Sequence, residues 1–432
     1  MMHTAGNSVQ YRRHFFNLHN WLLVLLFVFY GQGFSGHLFG VNLASAEFGN
    51  QYPGVYGSDY TYPDVSSLDY YAAKGLKLIR LPFRWERMQR ELYSELDSLE
   101  LQRMDAFIDG VSERGMWVIP DMHNYARRVM DDQIHIIGSQ ELSVRAFADF
   151  WRRFAEHYRD EASIWGYDLC NEPHDMGQYS WFDAAQAAID AIREVDTATA
   201  VIVSGDDWSS AQRWLSASAH LGDLIDPYDN IIFQAHQYFD RDASGRYQHS
   251  YDDENASPET GVERVKPFVQ WLQENNFRGF VGEYGIPDDD PRWLVTLENF
   301  LAYLEENGVS GTYWAGGPWW GDYPLSCEPK NGQHRPHMSV LKQYTGVTSV
   351  SKSSGTTAVI GKTTGIQLNK QSLFIPHYYD GLTLYRLNGR AVFSFDTHGH
   401  HTFPVPLRSG TYIVRMHGDF SAQQYGTVQI VQ

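Results

Sequence analysis

Eight short apolar runs in the first 345 residues, at 38–43, 76–81, 117–120, 165–169, 201–204, 231–235, 280–282 and 311–314, are each followed by a stretch with helical spacing. Runs this short read as buried strands. The stretches after them, at 64–74, 98–114, 143–159, 182–194, 209–216, 259–275, 291–307 and 338–344, read as amphipathic helices. Alternation of this kind calls for parallel strands, because each helix carries the chain back to the edge it left. Eight such units predict an α/β chain closed into a (β/α)8 TIM barrel. That fold typically needs about 250 residues, so a chain of 432 residues leaves room for a second, smaller domain.

In such a barrel the loops after the strands converge on one cleft, and polar side chains there are candidates for chemistry. Arg80 follows the second strand, His123, Asn124 and Tyr125 the third, and Asn171 and Glu172 the fourth. His236 and Tyr238 follow the sixth, Glu283 lies at the seventh and Trp314 at the eighth. Taken singly, an Arg, His or Tyr at such a position is more often a core or solvated residue than a functional one. Agreement across six strands is a stronger signal than any one residue. Two segments, Asn171-Glu172-Pro173 and Gly282-Glu283-Tyr284-Gly285, each carry a carboxylate. Glycoside cleavage needs such a pair: one carboxyl group protonates the leaving oxygen, and the other attacks the anomeric carbon or activates water against it.

Composition narrows the partner. With 34 Lys plus Arg against 52 Asp plus Glu the chain is acidic, which disfavours nucleic acid and anionic membrane. A neutral substrate fits better, and sugar rings stack well on aromatic side chains, of which 13 are Trp. Most Trp are expected in the core; Trp85, Trp208, Trp319, Trp320 and Tyr125 lie in or beside the strand-end loops and are candidate sugar platforms. Glu47, Glu86 and Asp121 read as supporting ion pairs or hydrogen bonds. Asp240, Asp242 and Asp252-Asp253-Glu254 fit no calcium-loop spacing and read as a solvated acidic loop.

Arg12, Arg13 and His14, followed by the apolar run 21–30, read as an export signal too short to span a bilayer, with cleavage between Gly31 and Gly36. A retained anchor is the alternative. Ala44-Ser45-Ala46 also has the form of a cleavage site, but it lies after the first strand and too far past the apolar run. Cys170 and Cys327 could pair in an oxidising compartment, although Cys170, next to Asn171, reads as a buried free thiol.

Seven segments in order resemble glycoside hydrolase family 5, the cellulase family, in its endo-β-1,4-glucanase branch. They begin at Gly40-Val41-Asn42, Ile79-Arg80-Leu81-Pro82, Asp121-Met122-His123-Asn124-Tyr125, Asn171-Glu172-Pro173-His174, His236-Gln237-Tyr238, Gly282-Glu283-Tyr284-Gly285 and Trp314-Ala315-Gly316. The resemblance covers about residues 38–345. It implies a (β/α)8 barrel, retaining hydrolysis of β-1,4-linked glucans, and no metal or organic cofactor. Carried over by position, Glu172 matches the acid/base and Glu283 the nucleophile. Arg80 and Tyr238 match residues that hold the nucleophile's oxygens, and His236 one that tunes Glu172 or binds substrate. His123 and Asn171 match residues that bond sugar hydroxyls, and Trp314 the floor of the cleavage subsite. Retention implies carboxyl groups about 5 to 5.5 Å apart; a spacing above about 6.5 Å would exclude the covalent route. Mannan, xyloglucan or mixed-linkage glucan as substrate, and an inactive carbohydrate-binding protein, are the alternatives. The expected partner is a β-glucan polysaccharide, with no nucleic acid, no membrane after signal removal, and a monomeric state.

The expected domains are a signal peptide at 1–35, a catalytic barrel at 36–345, a Ser/Thr/Gly-rich linker at 346–365 and a small all-β C-terminal domain, a β-sandwich, at 366–432. From residue 350 onward seven Lys plus Arg face three Asp plus Glu, so this part carries +4 and the remainder −22. The tail is similar to C-terminal β-domains that some secreted bacterial enzymes use for sorting or surface attachment, but it ends in Val431-Gln432 instead of a short basic tail. A carbohydrate-binding role is the rival, on Tyr378, Tyr379 or Tyr425, without a Trp to form a flat face. His398-Gly399-His400-His401 reads as a solvated turn.

Overall fold

The computed structural model describes residues 38–345 and, after them, eight separate strands between residues 358 and 430. Strands β1 (Phe39–Leu43), β2 (Leu78–Phe83), β3 (Trp117–Met122), β4 (Gly166–Asp168), β5 (Ala200–Ser204), β6 (Ile231–His236), β7 (Arg278–Tyr284) and β8 (Ser310–Gly316) pair in parallel. β8 returns to β1 and closes the barrel. Six longer helices alternate with the strands: α1 (Ser67–Ala73), α2 (Ser98–Glu113), α3 (Val144–Tyr158), α4 (Trp181–Arg193), α5 (Thr260–Asn275) and α6 (Arg292–Glu306).

Local chemistry explains where these helices start. Asp97, Ser143 and Ser180 precede α2, α3 and α4, and each side chain accepts a hydrogen bond from a backbone N–H of the first turn. On α3, Phe147, Phe150, Trp151, Phe154 and Tyr158 recur at helical spacing and are all buried. Phe154 stacks on Phe83 of β2 with ring centres 5.4 Å apart, and Phe147 meets Trp181 of α4 at 6.0 Å.

Inside the barrel, successive inward positions differ by two residues along each strand. Leu78, Ile119, Ile202, Ile232 and Phe280 pack together with Leu38 and Ala200. Two residues further on stand Arg80, Asp121, Ser204, Gln234 and Gly282. An apolar plug thus underlies a polar layer. The two-residue period makes that layer the next step toward the carboxyl ends of the strands.

Three departures from the expected elements have local causes. The expected helix 209–216 is instead a short turn of helix at Asp206–Ser209, another at Trp214–Ala217 and a 3-10 turn at Ala219–Asp223. Asp207, Trp208 and Ser209 have φ of 55°, 57° and 55°, a left-handed run that no α-helix continues through. The eighth helix is only Met338–Leu341. After β3 an unexpected hairpin pairs Arg127–Met130 with Gln133–Ile136, turning at Asp131 and Asp132, both with positive φ.

Beyond residue 345, Ala358–Ile360, Ile366–Leu368, Ser372–Ile375 and Gly399–Thr402 form one four-stranded antiparallel sheet. Gly381–Arg386, Ala391–Phe395, Gly410–His417 and Gln424–Ile430 form another. The expected signal at 1–35, most of the linker, and Tyr378, Tyr379 and His398 lie outside the described residues. Among the described residues no helix is long and apolar enough to cross a membrane.

Truncating Phe154, fully buried between α3 and β2, to alanine should cost about 3–5 kcal/mol of unfolding free energy. Urea unfolding followed by tryptophan fluorescence measures it; a loss under about 1 kcal/mol would contradict this packing.

Candidate active site

Arg80 on β2 is fully buried and stands at the centre of the polar layer. Its Nε donates to Asp168 Oδ2 at 2.8 Å, its Nη1 to Glu283 Oε1 and Asn42 Oδ1 at 3.0 Å each, and its Nη2 to Asn171 Oδ1 at 2.8 Å. Nη2 also lies 3.0 Å from Asp121 Oδ2. Burial alone would lower the pKa of this guanidinium. The three carboxylates outweigh burial and hold it above its ordinary value.

The two sequence-flagged glutamates meet over this arginine. Glu283 accepts from Arg80 on one oxygen and from the Tyr238 hydroxyl on the other, at 2.8 Å. Glu172, which leaves β4 with a φ of 43°, lies with Oε1 2.7 Å from His236 Nδ1. The same Nδ1 is 3.6 Å from Glu283 Oε2. One ligand atom each of Glu172, His236 and Glu283 lies within 4.8 Å of the others. Such a trio could hold a metal ion, but Arg80 already occupies one Glu283 oxygen and sets a fixed positive charge beside it, which opposes a cation.

Burial pushes the Glu172 carboxyl up to about 8, against the pull of Arg80 and with the push of Asp121. It pushes the His236 imidazole down to about 4, although Glu283 acts in the opposite sense. At neutral pH the pair is therefore a protonated acid beside an uncharged imidazole. His236 comes this close to β7 because of Gly282. A Cβ there would stand 2.4 Å from Gln234 Oε1 and 2.9 Å from His236 Nε2.

A second group lies beside the pair. His123 Nδ1 is 2.7 Å from Asp121 Oδ2, while its Nε2 faces Asn171 Nδ2 at 3.3 Å and the Tyr125 hydroxyl at 3.2 Å. Its ring stacks on Trp314 with centres 5.4 Å apart and planes 14° from parallel. Trp320 meets Trp314 edge-on, stacks on Tyr323 and donates its Nε1–H to the Gly316 carbonyl. Trp319 is 50% exposed, and Trp208, 40% exposed, stacks on His174 with ring centres 4.2 Å apart.

Several expectations change. Asn124 is buried, and its amide is spent on its own loop: Oδ1 accepts from the Trp85 N–H, and Nδ2 donates to Glu86 and to the Arg127 carbonyl. Both of its N–H groups are committed to protein partners, and the side chain turns into the loop instead of the cleft. Trp85 is fully buried against Phe147 and Phe150, a core residue rather than a platform. Arg80 is sealed below the cleft, so it acts on Glu283 and Asn171 rather than on a ligand. In the acidic stretch, Asp240 and Glu254 are not solvated: both are buried and accept backbone N–H groups of their own loop. Cys170 and Cys327 are both free and buried. Asp168 and Gln234, absent from the expected set, join the layer, Gln234 donating to Asp168 and to Ser204. Their signal was a polar residue inside an otherwise apolar strand.

A family model for Cellulase (glycosyl hydrolase family 5) matches residues 30–319. The chain is 35% identical over 314 residues to a protein named probable endo-beta-1,4-glucanase B from Aspergillus oryzae, covering 71% of this chain and 90% of that one. It is 33% identical to endo-beta-1,4-glucanase B from Emericella nidulans, with the same coverage. Among solved structures, endoglucanase Cel5A from Pseudomonas stutzeri is 42% identical with a TM-score of 0.68, covering 72% of this chain and 94% of that one. A structure of the same enzyme in complex with cellobiose is 44% identical with a TM-score of 0.67, covering 71% and 92%.

The raised Glu172 pKa has a consequence for stability. The folded chain keeps this proton up to about pH 8, whereas an ordinary carboxyl group releases it near 4.5. The stabilisation is complete below the lower value and is lost as pH rises toward the upper one. Glu172→Gln, which cannot ionise, should therefore be more stable than the parent at pH 8, by roughly 1–3 kcal/mol once water contact through the open cleft is allowed for. The difference should close by pH 4.5. Urea unfolding at both pH values tests this, and a constant difference would contradict it.

Proposed function

The chain belongs to glycosyl hydrolase family 5, the cellulases, and on that premise we propose that it is a secreted endo-β-1,4-glucanase that cleaves internal bonds with retention, through Glu172 and Glu283. The observation that carries this reading is the close approach of the two carboxyl groups: the nearest oxygens lie within 4.8 Å. Retaining enzymes hold their carboxyl groups about 5 to 5.5 Å apart, whereas inverting ones leave about 6.5–9.5 Å for a water. Glu283 attacks the anomeric carbon and forms a glycosyl ester as Glu172 delivers its proton to the departing oxygen. The negative charge of Glu283 is then gone, and Glu172, now ionised, takes a proton from the water that breaks the ester.

The neighbours have matching tasks. Arg80 and Tyr238 keep both Glu283 oxygens aimed, which a nucleophile needs at the moment of attack. Asn171 meets a sugar hydroxyl with the N–H that it does not direct at His123, His123 backs that amide, and Trp314 carries the ring at the point of cleavage. Trp208 and Trp319, exposed on the strand-end loops, extend the platform along a glucan chain. Secretion is supported by the basic and apolar leader at 12–30, and residues 366–432 are read as a small β-sandwich for attachment, sorting or an accessory role.

Reducing-end release on carboxymethylcellulose, mannan and xyloglucan, run beside Glu283→Ala, tests the reading. Release on carboxymethylcellulose should fall about 10⁴-fold or more in the variant. Release only on mannan or xyloglucan would overturn the substrate, and none on any of them would overturn the activity. Proton NMR of the first product anomer should show the β form; the α form would exclude retention. Trp208→Ala should raise KM for long cello-oligosaccharides roughly tenfold, from loss of about 1–1.5 kcal/mol of stacking, with little change for a short aryl glycoside.

A further inference from the structure

Asp121 touches neither carboxylate of the catalytic pair, yet one of its oxygens serves two side chains of the site. Oδ2 stands 2.7 Å from His123 Nδ1 and 3.0 Å from Arg80 Nη2. Oδ1 is buried without a partner. On the other side of the imidazole, Nε2 faces Asn171 Nδ2. That atom is a nitrogen because Asn171 Oδ1 accepts from Arg80, so the amide must present N–H toward His123. Nε2 thus holds its lone pair toward the Asn171 amide, the Tyr125 hydroxyl 3.2 Å away can donate to the same nitrogen, and the proton of the neutral ring sits on Nδ1, facing the Asp121 carboxylate.

We propose that Asp121 is a positioning residue that keeps His123 in its Nδ1–H form, so that Nε2 receives the Asn171 amide and fixes the direction in which Asn171 meets the substrate. This deepens the reading of Glu172 and Glu283 as the catalytic pair and rests on it. With the tautomer reversed, Nε2–H would point at Asn171 Nδ2–H, and two donors would oppose each other in a dry site. The Asn171 amide would then swing away, and its acceptor contact with Arg80 Nη2 would be lost with it. Burial supports the neutral ring by pushing the His123 pKa well below its ordinary value. Glu283 pulls it up, while Arg80, Arg84 and His236 push it further down. The stack of His123 on Trp314 carries the same restraint to the floor of the cleft.

Two substitutions separate this role from simple charge balance. Asp121→Asn can keep a carbonyl oxygen at the Oδ2 position, accepting from both His123 and Arg80. Asp121→Leu removes the acceptor at similar volume. In the parent and in Asp121→Asn, histidine-selective ¹⁵N NMR should find the His123 proton on Nδ1, the resonance being assigned by its loss in His123→Ala. In Asp121→Leu the proton should shift to Nε2 or distribute between the two nitrogens. On an aryl cellobioside, kcat should fall about 100-fold for the Leu variant, with KM within about threefold, and the Asn variant should recover most of the loss. A His123 proton on Nε2 in the parent overturns the proposal even if Asp121→Leu fails to fold. So does an unchanged tautomer in Asp121→Leu, or a Leu variant as active as the Asn variant. Should the parent cleave no β-glucan at all, the catalytic reading fails, while the tautomer measurement still stands or falls on its own.

Discussion

A charged guanidinium with no exposure is tolerated only when its donors are met, and the site is organised by meeting those of Arg80. Glu283 comes from β7, Asp168 from β4, Asp121 from β3, and Asn42 from β1, while Asn171 follows β4. Four strands and one loop are thereby tied to one side chain of β2. The arrangement is asymmetric in charge, three carboxylates to one cation; burial raises Asp121 to about 7 and Asp168 to about 6 despite Arg80, and for Asp168 the neighbouring Asp121 adds to the rise. Removing the arginine would leave three buried acids facing one another.

The same geometry accounts for how a barrel presents one reactive pair. The apolar plug of Leu78, Ile119, Ile202, Ile232 and Phe280 closes the interior, so the only way out for side chains of the next layer is toward the strand-end loops. Glu172 reaches the cleft through a left-handed backbone position, and Asp207, Trp208 and Ser209 adopt three more in a row. Such conformations cost energy and persist where surrounding contacts over-determine them. Here Trp208 is held by its stack on His174 and by its backbone N–H bonded to the Pro173 carbonyl, which ties the exposed ring to the segment that carries Glu172.

Much of this was legible in the residues because period and position are local properties. Alternating strand and helix signals predicted eight units, and carboxylates at or beyond the carboxyl ends of two strands singled out Glu172 and Glu283. The inward turn of Asn124 and Trp85 is not legible in the residues for one reason: both sit in the same loops as cleft residues, and adjacency in sequence does not say which way a side chain turns. Asp168 and Gln234 escaped notice because each lies within an apolar strand, where a polar residue has meaning only once seven other strands surround it. The hairpin at 127–136 hid because its two strands are four residues each, and its Asp-Asp turn lacks the glycine that marks tighter reversals.

The amino-acid sequence by itself determined the class of fold and the chemical type of the site, since hydrophobic period selects strand or helix and a carboxylate remains a carboxylate wherever it lies. Only the tertiary structure decided which of those groups act on one another. The raised pKa of Glu172, the neutral His236 and the sharing of Asp121 between Arg80 and His123 all depend on burial and on distances of about 3 Å between residues up to 203 positions apart. Electrostatic interactions in a low-dielectric interior change steeply over an ångström, and closure of the barrel is what sets those distances.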